Sequence, residues 1–142
     1  MRLNRRKNEL TRKPYSGGDY RQLLTLEKER SERYNHFFAL FGLCLEGRGD
    51  EDFSGFVRAQ LRSSDYVFRV PPAGRERSVE EQLGVLLPET DQAGAQVVKE
   101  RLAQLCLICK VPVRLGLAVY PDNGTIPEQL LAEVFRTCPV EG

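Results

Sequence analysis

The feature that most constrains the fold of this chain is an almost entirely apolar run at positions 36–45, with the sequence HFFALFGLCL. Neighbouring side chains of a β-strand point to opposite faces of the sheet, so a strand with this sequence is apolar on both faces. Such a run is typical of a strand buried on both sides. We therefore expect a central sheet with helices packed on its faces.

The remaining sequence alternates between helical and strand patterns. The first predicted helix begins at position 19, and three more span 51–61, 90 or 91 to about 106, and 125–135. The other predicted strands span 66–70, 82–87 and 111–120. The resulting order is α-β-α-β-β-α-β-α. It predicts an α/β (α+β) fold with a central mixed β-sheet flanked by helices, the strands at 66–70 and 82–87 pairing as a hairpin.

Length and charge limit the classes of protein that this chain can belong to. With 142 residues, of which 41% are hydrophobic and 29% charged, it is expected to form one globular domain. A net charge of +1 predicts no general affinity for nucleic acid or membrane surfaces. The sequence contains no apolar run of about 18 residues that would span a membrane, and no apolar signal segment follows Met1. We therefore expect a cytoplasmic protein.

The first 18 residues differ from the rest and are expected to form a basic N-terminal arm or linker, with the domain at 19–142. Glu9 is their one acid. Their basic residues are Arg2, Arg5, Arg6, Lys7, Arg12 and Lys13. Two interpretations of the arm stand: it contacts phosphate or an acidic partner, or it is a solvated tail.

Three motifs follow one another along the chain. The first is R-x-x-D at 62–65, directly before the predicted strand 66–70; the second is LLPETDQAGAQVVKERL at 86–102; the third is VRLGLAVYPDNG at 113–124. Together they resemble the GGDEF-type diguanylate cyclase domains, which carry R-x-x-D, LLP-x-T and a strand ending in Y-P-D-x-G in this order. The resemblance covers roughly residues 19–135. It implies a GGDEF-like, nucleotidyl-cyclase-like fold.

The chain departs from this family at its catalytic turn. Counting back from LLP, the signature slot holds VEEQL at 79–83, so Val79 and Glu80 replace the glycines that let nucleotide approach the backbone. The family's metal-binding aspartate falls on Cys44, a poor ligand for the hard cation Mg²⁺. Most of the family's guanine-contacting segment is also missing. The resemblance therefore implies a degenerate domain with no catalytic residues, no metal and no cofactor.

The inhibitory site of the family is retained in the sequence. There, the arginine and aspartate of R-x-x-D and an arginine on the following helix bind cyclic di-GMP, and these positions fall on Arg62, Asp65 and Arg101. Arginine suits this role because its fork binds phosphate or guanine bidentately. The alternative is a structural one, in which Arg62 and Asp65 form an ion pair at a helix end and Arg101 is solvated.

Other candidate sites are weaker. Cys106 and Cys109 form a C-x-x-C without a second matching pair for zinc, so they are predicted to be buried free thiols. His36 is predicted to be structural. The leading function is thus a catalytically inactive domain that binds cyclic di-GMP, acts as a regulatory protein-interaction module, or both, with a protein partner and a homodimer as expected assemblies. The alternatives are a structural protein without nucleotide ligand, and a residual GTP-binding cyclase using Glu46 and Glu81 with Mg²⁺.

Overall fold

The computed structural model describes residues 19–45, 51–70, 81–110 and 113–136. The described residues form four helices and four strands, and every bound that the sequence predicts lies within three residues of the observed one. Along the chain these are α1 (Asp19–Tyr34), β1 (Phe38–Leu45), α2 (Glu51–Ala59), β2 (Tyr66–Arg69), β3 (Glu81–Pro88), α3 (Gln92–Cys109), β4 (Val113–Tyr120) and α4 (Pro127–Arg136). The predicted α+β fold with a helix-flanked central sheet is confirmed. No helix in these ranges is long and apolar enough to cross a membrane.

The sheet has the strand order β2-β3-β1-β4, and all three pairings between its strands are antiparallel. The prediction of a mixed sheet is therefore wrong for the described strands. The reason is that the two helical crossovers, β1-α2-β2 and β3-α3-β4, each join strands of the same direction that are not neighbours. Strand β3 lies between β1 and β2, and β1 lies between β3 and β4, which is the split β-α-β arrangement of ferredoxin-like folds.

Strand β1 is the centre of the protein and is buried along its whole length. Its odd-numbered residues, including Phe41 and Leu43, join a core cluster with the inner sides of α2 and α3. Its residues Phe38 and Leu40 join a second cluster with α1 and α4 on the opposite face. Residues 38–45 of the apolar run thus have the two-sided burial that the sequence predicts, whereas His36 and Phe37 precede the strand and are not buried.

The connection from β3 to α3 positions the site described below. Asp91 caps α3, because its side chain accepts a hydrogen bond of 3.0 Å from the Gly94 backbone N–H. Glu89, two residues earlier, has a φ of 55°, a left-handed conformation that is uncommon for a residue with a Cβ atom. The backbone therefore turns sharply between the end of β3 and the start of α3.

Several predicted features lie outside the described residues. They are the basic arm at 1–18, Glu46, and Val79 and Glu80 in the segment between β2 and β3. The side chain of Glu81, at the start of β3, is also outside them. These predictions stay predictions.

Candidate functional site

The R-x-x-D motif forms a compact loop between α2 and β2. The Asp65 carboxylate accepts a hydrogen bond of 2.8 Å from the Arg62 backbone N–H, and the Asp65 N–H donates to the Arg62 carbonyl at 3.0 Å. The Asp65 side chain is only 3% exposed. Its buried charge is compensated by these donors and by the Arg62 guanidinium, whose Nη2 lies 3.1 Å from Asp65 Oδ1. The loop is therefore held closed by its own two motif residues.

Arg58, at the C-terminal end of α2, also stabilises this loop through hydrogen bonds to its backbone. Its Nη1 donates to the Asp65 carbonyl at 2.7 Å and its Nη2 to the Arg62 carbonyl at 2.6 Å. Arg58 is buried despite its charge. Arg58 is not part of the R-x-x-D motif, and the one signal for it in the sequence is its position beside Val57 on a short amphipathic helix.

Arg62 also ties the loop to the end of β3. Its Nη2 donates to the Pro88 carbonyl at 3.0 Å and to Thr90 Oγ1 at 3.2 Å, while Thr90 Oγ1 itself donates to the Pro88 carbonyl at 3.0 Å. The Arg62 side chain remains 58% exposed. The proline and threonine of LLPET thus serve as acceptors for the arginine of R-x-x-D, which explains why the two motifs belong together.

Arg101 reaches the same place from α3. Its Nη1 donates to the carbonyl of Gln60 at 3.3 Å, just beyond the end of α2. Arg62, Asp65 and Arg101 all line one surface pocket of about 600 Å³, between the R-x-x-D loop, the β3–α3 connection, the first turns of α3 and residues 35–37. The structure therefore brings together the three residues that the sequence selects.

An ion-pair network borders the side of the pocket nearest α1. Glu89 Oε2 accepts a hydrogen bond of 2.5 Å from Arg30 Nη2 and lies 3.7 Å from His36 Nδ1. Arg30 also contacts Glu27 at 3.5 Å, and burial raises the pKa of the Glu27 carboxyl above its ordinary value. Glu89 and His36 thus line the pocket, although no motif in the sequence marks Glu89 and His36 was predicted to be structural.

Apolar surface completes the pocket. Phe37 and Val97 line it, and they are 39% and 55% exposed. With two arginines, an exposed carboxylate and apolar walls, the pocket has the groups that bind an anionic ligand carrying a planar base.

The C-terminal end of β1, where the resemblance places the catalytic centre, has different chemistry. Cys44 is buried and pairs with Gln82 on β3 and Arg114 on β4, and Gln82 Nε2 lies 3.9 Å from Cys44 Sγ. Within the described ranges, no group of three or more His, Cys, Asp or Glu residues is placed to hold a metal ion.

The C-x-x-C motif lies in the last turn of α3. Cys106 and Cys109 are free thiols, half-buried against the core between α2, α3 and the sheet. Burial raises the pKa of the Cys106 thiol, which disfavours the reactive thiolate. The position agrees with the predicted packing role, although the two side chains are less buried than expected.

No protein-family model and no curated protein matches the sequence, but solved structures do. A DGC protein from Thermotoga maritima superposes with a TM-score of 0.77 and 14% identity, over 92% of this chain and 99% of that one. A sensory box/GGDEF family protein from Caulobacter crescentus CB15 superposes with a TM-score of 0.58 and 14% identity, over 87% of this chain and 89% of that one. Diguanylate cyclase SiaD from Pseudomonas aeruginosa was solved in complex with its activator SiaC. It superposes with a TM-score of 0.54 and 18% identity, over 82% of this chain and 53% of that one.

The chain therefore has the GGDEF-type fold that diguanylate cyclases share. The resemblance inferred from the three motifs is confirmed at this level. At identities of 14–18%, the structural similarity shows the fold alone, and the activity has to be inferred from the site.

Proposed function

We propose that this protein is a non-catalytic GGDEF-like regulatory domain that binds cyclic di-GMP in the pocket lined by Arg62, Asp65 and Arg101. The observation that carries the proposal is the convergence of these three residues, from a loop and a helix, on one pocket of about 600 Å³. That volume lies within the range of roughly 300–1,000 Å³ that small-molecule sites occupy.

The chemistry of the pocket suits this ligand. Cyclic di-GMP presents phosphates and guanine bases, and an arginine fork binds either a phosphate or the O6 and N7 acceptors of guanine bidentately. Arg101 and Arg62 line different sides of the pocket. Arg62 Nη2 already donates to Asp65, Pro88 and Thr90, so Arg62 Nη1 is the nitrogen left for a ligand. Phe37 and Val97 offer apolar surface to the faces of the bases.

The absence of cyclase activity is part of the proposal. A diguanylate cyclase uses divalent cations, which bind carboxylate and other oxygen ligands. Here Cys44 occupies the position that the resemblance assigns to a metal-binding aspartate, and its partners across the sheet are Gln82 and Arg114. A thiol, an amide and a guanidinium do not form an Mg²⁺ site.

A regulatory domain also needs a partner that distinguishes its ligand-bound form from its ligand-free form. SiaD, one of the structural neighbours, was solved with a protein activator, which supports the proposal that a protein partner acts with this domain. A homodimer and a cytoplasmic location stay predictions, to be checked by sedimentation and by fractionation.

Calorimetric titration with cyclic di-GMP tests the proposal. We expect binding by the unmodified protein, and a loss of affinity of roughly tenfold or more in Arg62→Ala and in Arg101→Ala, because each removes charge-assisted hydrogen bonds worth about 1.5–3 kcal/mol. Lys99→Ala is the matched control, since Lys99 is exposed on the same helix and does not line the pocket.

Two results would contradict the proposal. Absence of binding by the unmodified protein would leave a protein-interaction module without nucleotide ligand. Formation of cyclic di-GMP from GTP and Mg²⁺ would show instead that the residual cyclase is the correct alternative.

A further inference from the structure

Two residues of the pocket have a left-handed backbone: Asn35, with a φ of 60°, and Glu89, with a φ of 55°. Asparagine adopts this conformation readily, whereas glutamate does not. This conformation is disfavoured for a residue with a Cβ atom and is more often found where a side chain has a particular task. The Glu89 side chain is 48% exposed and lines the pocket. An unusual backbone thus presents a carboxylate at the rim of the proposed binding site.

Both neighbours of Glu89 are fixed to Arg62. The Pro88 carbonyl and Thr90 Oγ1 accept hydrogen bonds from Arg62 Nη2 at 3.0 and 3.2 Å. The Glu89 carboxylate is itself held through Oε2, which accepts from Arg30 Nη2 at 2.5 Å. The Glu89 carboxylate and the Arg62 guanidinium therefore both line the pocket, and each is held in place by neighbouring groups.

Asp65 does not compete with Glu89 for a ligand. Its Oδ2 accepts from the Arg62 backbone N–H, its Oδ1 accepts from Arg62 Nη2, and its side chain is 3% exposed. Asp65 is therefore a positioning residue for Arg62. In contrast, Glu89 Oε1 accepts no hydrogen bond from any residue of the described ranges, so it can accept one from a ligand.

A carboxylate and a guanidinium in one pocket match guanine and mismatch adenine. Guanine offers O6 and N7 as acceptors on one edge and N1–H and N2–H as donors on the next. Adenine has a donor in place of O6 and a bare acceptor in place of N1–H, so it would set a donor against an arginine and a lone pair against a carboxylate.

We propose that Glu89 accepts hydrogen bonds from the N1–H and N2–H groups of a guanine held against Arg62, and so makes the pocket select guanine over adenine in a cyclic dinucleotide. This inference rests on the proposed function, since it assigns the base selectivity of the same site. It also gives Arg30 a role: through its contact with Glu89, this residue of α1 positions the carboxylate.

The test compares cyclic di-GMP with cyclic di-AMP by calorimetry, in the unmodified protein and in Glu89→Gln. The amide has nearly the same shape but replaces one acceptor oxygen with a donor. We expect the unmodified protein to prefer cyclic di-GMP by roughly tenfold or more, and Glu89→Gln to lose most of that preference. Glu29→Gln is the control, because Glu29 is exposed on α1 and does not line the pocket. Circular dichroism of each variant checks that it is folded.

The outcomes separate this inference from the function on which it rests. If the unmodified protein binds cyclic di-GMP and Arg62→Ala abolishes binding, but Glu89→Gln keeps the full guanine preference, only the assignment of Glu89 is wrong. If the unmodified protein binds neither dinucleotide, both proposals fail together.

Discussion

Asp65 is almost fully buried, and both of its carboxylate oxygens accept hydrogen bonds from Arg62. A buried carboxylate is tolerated only where such donors replace water. Arg58 adds two hydrogen bonds to carbonyls of the same loop. At the scale of single residues, the R-x-x-D motif is therefore first a structural unit, and its capacity to bind a ligand comes from the exposed side of Arg62.

This arrangement predicts that Asp65→Ala destabilises the domain by about 1–3 kcal/mol, because it leaves the Arg62 backbone N–H without an acceptor and removes the partner of its guanidinium. Asp65→Asn should cost less, since the amide oxygen can still accept from that N–H. Urea unfolding gives the free energies. Ser64→Ala, at an exposed position of the same loop, is the control. An equal, small effect of all three substitutions would show that the loop does not depend on the carboxylate.

The residues of the site were predictable to different degrees. Arg62 and Asp65 are three positions apart and form one motif, and Arg101 follows LLPET on a single helix, so the resemblance alone made these three residues candidates for one site. Glu89 meets Arg30 across 59 positions. No local pattern encodes such a contact, because it depends on how α1 packs beside the end of β3.

At the scale of the secondary-structure elements, three glycines lie in register across the sheet: Gly84 on β3, Gly42 on β1 and Gly116 on β4. Two of them have large neighbours. A Cβ atom on Gly84 would lie 2.2 Å from Phe68 Cε1, and one on Gly42 would lie 2.9 Å from Val134 Cγ2. The missing side chains therefore allow the Phe68 ring of β2 to lie against Gly84 and helix α4 to pack against Gly42.

We predict that Gly84→Ala destabilises the domain by about 1–3 kcal/mol or more, because the added methyl group overpacks a core that has no free space. Adding Phe68→Leu should recover part of this loss, so the double variant will be more stable than the sum of the two single effects. Thermal or urea unfolding of the unmodified protein, the two single variants and the double variant measures the coupling free energy between positions 84 and 68.

Gly55→Ala on α2 is the matched control, since nothing lies within 4 Å of a Cβ atom there. Alanine favours the helix at such a position by about 0.5–1 kcal/mol, so this variant should be slightly more stable. If Gly84→Ala were equally harmless, close contact with Phe68 would not be the reason for glycine at this position.

The helices and strands themselves were predictable because their signals are local, such as the apolar run of β1 and the Asp91 cap of α3. The strand order was not. The alternation of elements is compatible with a mixed sheet and with the observed antiparallel one, and the choice depends on β3 lying between β1 and β2. That arrangement is a non-local property of the packed core.

At the scale of the whole molecule, the pocket joins segments that are far apart in sequence. Its walls come from the α1–β1 connection, the loop after α2, the end of β3 and the first turns of α3. A ligand that contacts Arg62, Glu89 and Arg101 together would therefore connect these segments in the folded state, and no equivalent site exists in the unfolded chain. Ligand binding and global stability should consequently be linked.

We predict that saturating cyclic di-GMP raises the unfolding temperature of the domain. At a concentration about 100 times the Kd, binding to the folded state adds about 2.7 kcal/mol to the free energy of unfolding. For a domain of this size that corresponds to a rise of roughly 5–15 °C. Differential scanning fluorimetry with increasing ligand measures the rise, and GTP with Mg²⁺ serves as the comparison ligand. The rise should persist in Lys99→Ala and be much smaller in Arg101→Ala, each compared with its own ligand-free form. An equal rise with GTP, or one that Arg101→Ala leaves intact, would mean that the stabilising ligand binds elsewhere in the molecule.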